Sequence, residues 1–111
     1  MDKLLWVLVP NLVLLPSKII TCYEVRKHGV KVEDNPVFRK MIETVGCEGA
    51  SLIAHLITTG VSCLAWEVKK VNSLLGVGIY LMLIYIALSD SVNNVLFLLE
   101  DLGLYKSEVY L

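Results

Sequence analysis

Charge is scarce in this sequence: Asp, Glu, Lys and Arg make up 19% of its 111 residues, against 56% hydrophobic residues and a mean hydropathy of +0.67. A soluble domain this small would leave much of that apolar surface in water, so the composition excludes an ordinary soluble fold. A basic excess is missing as well. Ten Lys and Arg against eleven Asp and Glu leave a net charge of -1, too little positive charge to neutralise phosphates, which excludes nucleic acid as a partner. Cysteine is limited to Cys22, Cys47 and Cys63, an odd number outside any C-x-x-C or C-x-x-C-H arrangement. That argues against a disulfide framework, structural zinc or attached haem, and the three are expected to pack as small apolar residues in helices. H-E-x-x-H is absent, and Glu48 and His55 lack the i,i+4 spacing that places two ligands on one metal, so no metal site is expected. Gly76-Val77-Gly78 is a bare G-x-G inside an apolar run, and no nucleophile and base pair is recognisable: Cys47 stands beside Glu48, but Cys22 and Cys63 have no such neighbour. The chain reads as a non-enzyme without a cofactor.

What the sequence does have is long apolar runs. Three can be drawn, about 4–23, 41–66 and 71–99, and each meets the roughly 20 residues needed to cross about 30 Å of hydrocarbon. The expected fold is all-α: one domain over residues 1–111, an integral membrane bundle of three transmembrane helices. The third run is interrupted by Ser89-Asp90-Ser91 and Asn93-Asn94, so its helix is expected to be long, or broken near Ser89–Asn94. The first run carries Pro10, Asn11, Pro16 and Lys18 and no A-x-A-like site near its end, which favours a retained span over a signal peptide.

The polar connection Glu24 to Lys40 contains Arg26, Lys27, Lys31, Arg39 and Lys40, whereas Glu67-Val68-Lys69-Lys70 reads as a tight turn. The first connection and the C-terminal tail with Lys106 hold six basic residues near the spans, against three for Lys3, Lys69 and Lys70. That asymmetry places the first connection and the C-terminus in the cytoplasm of a cell-membrane protein, with the N-terminus outside. Trp6 and Trp66 at one side, with Tyr23 and Tyr105 at the other, read as interfacial aromatic belts. In Glu33-Asp34-Asn35-Pro36, Asn35 can cap a helix whose first position Pro36 suits.

Asn11, Lys18, Glu48, His55, Asp90 and Asn94 are the candidate site, an intramembrane polar network. Ionisable groups in hydrocarbon cost about 2.5–3.5 kcal/mol each even on the lenient scale, so they mark a function or a tight assembly. At 1.5 Å per residue, Lys18, Glu48 and Asp90 share a band roughly 7–15 Å below the cytoplasmic surface. Thr44, Glu48, Ser51, His55, Thr58 or Thr59, and Ser62 recur at steps of three and four, on one helix face. Turned inward, these faces let Lys18 neutralise Glu48 or Asp90, and let Asn11 reach His55. Lys18 snorkelling to the interface is the alternative.

The run Asn11, Thr21, Gly29, Glu33-x-Asn35-Pro36 and Arg39 resembles an uncharacterised family of short three-span archaeal and bacterial membrane proteins. Their first span is followed by a basic turn with Gly, then E-x-N-P and a nearby Arg, and their third span carries an Asn near its end, here Asn93 or Asn94. Where that family has an intramembrane Asp, this chain offers Ser17 and Lys18, and Ala54-His55 stands where span two often carries Lys. The resemblance implies a prokaryotic three-span protein and no particular chemistry. Two functions are expected from the residues themselves. One is an accessory or structural subunit, its polar faces matched by other membrane subunits or by self-association within the bilayer. The other is transport of protons, ions or a small solute along the polar band.

Overall fold

The computed structural model describes residues 2–104 and shows an all-α bundle of three helices, each antiparallel to the next along the chain. Helix α1 spans Lys3–His28, α2 Pro36–Val71 and α3 Ser73–Asp101, with a single 3-10 turn at Val30–Val32. All three are long and apolar enough to cross a membrane, and the 47 Å long axis of the bundle matches a bilayer of about 40–45 Å with its headgroups. Large apolar side chains such as Leu12, Ile19, Leu52, Leu56, Leu81 and Ile86 face outward. A membrane protein presents that surface to lipid. Tyr105 and Lys106, counted above toward the aromatic belt and the basic side, lie outside the described residues.

Short polar residues set where each helix begins. Asp2 Oδ1 accepts from the Leu5 N–H, Asn72 Oδ1 from that of Leu75, and Asn35 Oδ1 from those of both Val37 and Phe38, which satisfies amides that have no partner within the helix. The stretch between the first two spans is therefore shorter than the sequence suggests. Most of 24–40 is helical, and the chain reverses over Gly29 to Asn35. Gly29, at φ 92°, takes a backbone conformation that side chains resist. Arg39 closes this turn by donating through Nε and Nη2 to the Glu33 carbonyl, at 2.8 and 2.6 Å.

The structure resolves three sequence expectations, two of them by correction. Glu67-Val68-Lys69-Lys70 is the last part of α2 and not a turn; the reversal falls on Asn72, which caps α3. Gly76 permits so short a connection, because a Cβ there would strike the Lys69 backbone. Second, of the long and the broken form expected of α3 the structure has the long one, unbroken through Ser89–Asn94; Ser91 and Asn94 donate to α1, and Asn94 also to the Asp90 carbonyl within α3. The interruption lies in α2 instead, at Gly46 with φ 82° and ψ 167°. That region of backbone space is nearly closed to residues with a Cβ. Third, Trp6 belongs to the core and not to a belt. It stacks on Tyr80 with centroids 3.6 Å apart, meets Trp66 edge-on at 5.6 Å, and donates its indole N–H to the Ser62 carbonyl.

Candidate functional site

The inward stripe of α1 recurs every three to four residues as Trp6, Pro10, Leu14, Ser17, Thr21 and Glu24. It is apolar and aromatic toward the N-terminal end and polar toward the loop end. At the loop end it meets Asp90, Ser91 and Asn94 of α3. Ser17 Oγ donates to Asp90 Oδ2 at 2.5 Å, Asn94 Nδ2 donates to Ser17 Oγ and to the Asp90 carbonyl at 2.9 Å each, and Ser91 Oγ donates to the Val13 carbonyl at 2.6 Å. Lys18 Nζ stands 3.3 Å from Asp90 Oδ2 and 4.0 Å over the Phe38 ring of α2. Its side chain is 10% exposed, so the ammonium lies inside the bundle and does not snorkel.

Toward mid-membrane a second group forms. Asn11 Nδ2 donates to the Val7 carbonyl and to Thr59 Oγ1, leaving Asn11 Oδ1 to face His55 Nδ1 at 2.9 Å. The amide oxygen can only accept, so His55 carries its proton on Nδ1. Its Nε2 is then a lone-pair acceptor, buried without a partner. A cleft of about 320 Å³ between α1 and α2 is lined by both Lys18 and His55 and joins the two groups.

Two residues are not where the sequence put them. Glu48 does not pair with Lys18: it lines the same cleft as Lys18 and His55 but is exposed and forms an ion pair with Arg26. The reason is Cys22–Cys47, which are joined as a disulfide with Cα atoms 5.6 Å apart. The bond sets residue 48 level with Cys22 and Arg26 of α1, nearer the loop than Lys18. Thr44 likewise leaves the expected face, because the break at Gly46 resets the helical phase. Its hydroxyl donates to the Lys40 carbonyl on the outside of α2.

Above the Lys18–Asp90 pair a cleft of about 240 Å³ opens at the loop end, lined by Thr21, Glu24, Val32, Glu33, Asp34, Asn35, Asp90, Asn93, Asn94 and Phe97. Four of these are carboxylates and, among the described residues, none is Lys or Arg. The Glu24 carboxylate is buried, and neither oxygen accepts a hydrogen bond. Burial pushes the Glu33 carboxyl above its ordinary 4.5, with Asp90 and Asp34 adding to the shift, against the Asn35 N–H and Lys18, which oppose it. Sequence reasoning missed Ser17, Thr21, Glu24 and Glu33. The signal for the first three was present, since they continue the stripe of Trp6, Pro10 and Leu14 at helical spacing.

Compared with known proteins, the chain matches no family model, no curated protein and no solved structure. The residues behind the resemblance noted above have local roles all the same: Gly29, Glu33, Asn35, Pro36 and Arg39 build the reversal between α1 and α2, and Thr21 Oγ1 reaches Asn94 Oδ1 at 3.5 Å.

Proposed function

We propose that this small membrane protein takes up protons, inorganic cations or a small cationic solute at the loop end and passes them to the buried Lys18–Asp90 pair. The acidic cleft carries this reading. It holds Glu24, Glu33, Asp34 and Asp90 without a basic residue among its described lining, and Asp90, 42% exposed, forms its floor. Lys18 acts there as a tethered cation. An arriving cation or proton competes with its ammonium for Asp90, and the displaced ammonium has the Phe38 ring beneath it and His55 across the neighbouring cleft. Such competition makes occupancy depend on charge, because two cations beside one buried carboxylate repel.

Proteoliposomes loaded with pyranine, and separately assayed with labelled rubidium and methylammonium, test this. We expect flux of at least one species above empty liposomes, lost in Asp90→Asn and reduced in Glu33→Gln. No flux of any of the three would overturn the reading.

One observation favours the accessory-subunit reading as second. Arg26 and Glu48 pair on the outside of the bundle with side chains 69% and 68% exposed, a polar spot that another subunit, or a second copy, could cover. The need for such a partner is smaller than the sequence implied, because Asn11, Lys18, Asp90 and Asn94 find partners within the chain. Mild-detergent pull-down from native membranes that recovers a fixed second protein, lost on Glu48→Lys, would favour it. The lysine and arginine asymmetry favours the cytoplasmic side for the loop end, and so for the acidic cleft, whereas the Cys22–Cys47 disulfide there favours an oxidising one.

A further inference from the structure

Where α1 and α3 end side by side, Glu24, His28 and Asp101 bring their ligand atoms within 4.8 Å of one another. Glu24 and His28 are four apart on α1, so both face the same way. Asp101 closes α3. His28 Nε2 is 2.9 Å from Asp101 Oδ1 and 3.5 Å from Glu24 Oε2. A first-row metal with bonds of about 2.1 Å holds neighbouring ligands roughly 3.0–3.4 Å apart, the edge of an octahedron or a tetrahedron. The two separations from His28 fall close to those edges, and the two carboxylates lie within 4.8 Å of each other.

An independent observation points to something bound there. The Glu24 side chain is 97% buried, being 3% exposed, and both its oxygens lack a hydrogen-bond partner. A carboxylate withdrawn from water without a donor is costly, and a second carboxylate, Asp101, stands across the imidazole. The Lys27 ammonium acts on Glu24 only through space, because its short contact, at 2.9 Å, is to Asp101 Oδ2 and not to Glu24. That contact also leaves Oδ1 directed at the cluster.

We infer that Glu24, His28 and Asp101 form a site for a divalent first-row metal ion, Zn2+ or Mn2+ in chemical class, that ties the end of α1 to the end of α3. Two carboxylate oxygens and one imidazole nitrogen suit these ions better than Mg2+ or Ca2+, which prefer oxygen alone. Binding needs His28 as the neutral imidazole, so any proton it carries leaves to solvent as the ion enters. Three protein ligands leave a further coordination position open to water. The site stands on its own geometry and does not require that the metal be what crosses the membrane.

The test uses the full chain carrying Cys63→Ala, which removes the free thiol, in EDTA-stripped lipid nanodiscs. Zn2+ is titrated by competition with a chromophoric indicator, and Mn2+ is followed by electron paramagnetic resonance. One equivalent should bind, unaffected by millimolar Mg2+. His28→Ala, at a partly exposed side chain, and the isosteric Glu24→Gln and Asp101→Asn should each weaken binding at least tenfold while tryptophan emission and elution volume stay unchanged. Glu33→Gln, which should cut cation uptake, should leave Zn2+ binding as it was, so failure of the uptake reading and failure of this one are told apart. Absence of stoichiometric binding, or equal binding by a His28→Ala, Asp101→Asn double variant, would overturn the site and leave the cluster an ion network.

Discussion

The two ends of this bundle are held by different forces. At the N-terminal end, Trp6, Trp66, Tyr80 and Ala65 pack as one cluster, Gly76 lets α2 and α3 touch, and Lys69 Nζ lies 3.9 Å over the Trp66 ring. Among these side chains, size and ring geometry decide the contacts. At the loop end the contacts are ionic and covalent: Lys18–Asp90, Arg26–Glu48, Lys27–Asp101 and the Cys22–Cys47 disulfide, around carboxylates that have too few donors. One end is a clamp. The other is charged, kinked at Gly46 and open, and holds the acidic cleft.

The largest effect expected from breaking this contrast is at Lys18. Removing one member of a buried pair leaves the other uncompensated and costs about 3–5 kcal/mol; with Asp90 still 42% exposed, Lys18→Met should fall at the lower end of that range. Adding Asp90→Asn should restore most of the loss, because Asn can keep partners in Ser17 and Asn94. Adding Glu48→Gln should not, since Glu48 faces Arg26 on the outside, where an exposed pair is worth about 0–1 kcal/mol. Detergent melting of the two double variants reads this directly, and rescue by Glu48→Gln would show the charges to be paired otherwise.

Much of this was legible beforehand, and the failures have physical causes. Apolar runs and caps announced three helices, because hydrophobic length and short polar caps are local signals. Asn11 could be matched with His55, and Lys18 with either Glu48 or Asp90, by depth across helices, since a helix rises at a constant rate; depth alone left the two carboxylates undistinguished. Depth failed for Glu48. A break of helical phase at Gly46 and a cross-link between residues 22 and 47 change the level at which α2 meets α1, and neither leaves a local spacing to read. The Glu24–His28 pair did leave one, at i,i+4, but its third member lies at the far end of the chain.

The next effect is redox. Closing a loop of 25 residues is worth up to about 3.5 kcal/mol in the chain-entropy picture, less where the separated helices remain in the bilayer. Both tryptophans of the chain sit in the aromatic cluster, so emission reports the clamp alone. Dithiothreitol should leave emission unchanged while amide exchange speeds up around 29–48; a shift in emission would show the two ends to be coupled. The same bond tests orientation. Disulfides are rare in reducing compartments, so with the loop end in the cytoplasm a permeant maleimide should label Cys22 and Cys47 in acid-quenched intact cells. Protection of both until reductant is added would turn the bundle over.

The smallest effect, and the sharpest for the charged end, is at Glu33. Burial, the first cause, raises its carboxyl above the ordinary 4.5, so the folded protein binds this proton more tightly than the unfolded chain does. The sign follows: the contribution to stability is fully present below about pH 4.5, the unfolded value, and is lost as pH rises through the folded value. At neutral pH the ionised Glu33 therefore opposes folding slightly. Glu33→Gln keeps an oxygen to accept the Asn35 N–H, which Glu33 Oε1 now accepts at 3.1 Å, and removes the charge. The variant should melt slightly higher than the parent at pH 7 and equal to it at pH 4, while no such pH dependence should follow from changes in the aromatic cluster. Equal melting at both pH values would mean that the acidic cleft is already neutralised, by solvent or by a bound cation. Repeating the pH 7 measurement after dialysis into buffer without small cations separates those two, since only the loss of a cation that occupies the cleft lowers the parent below the variant.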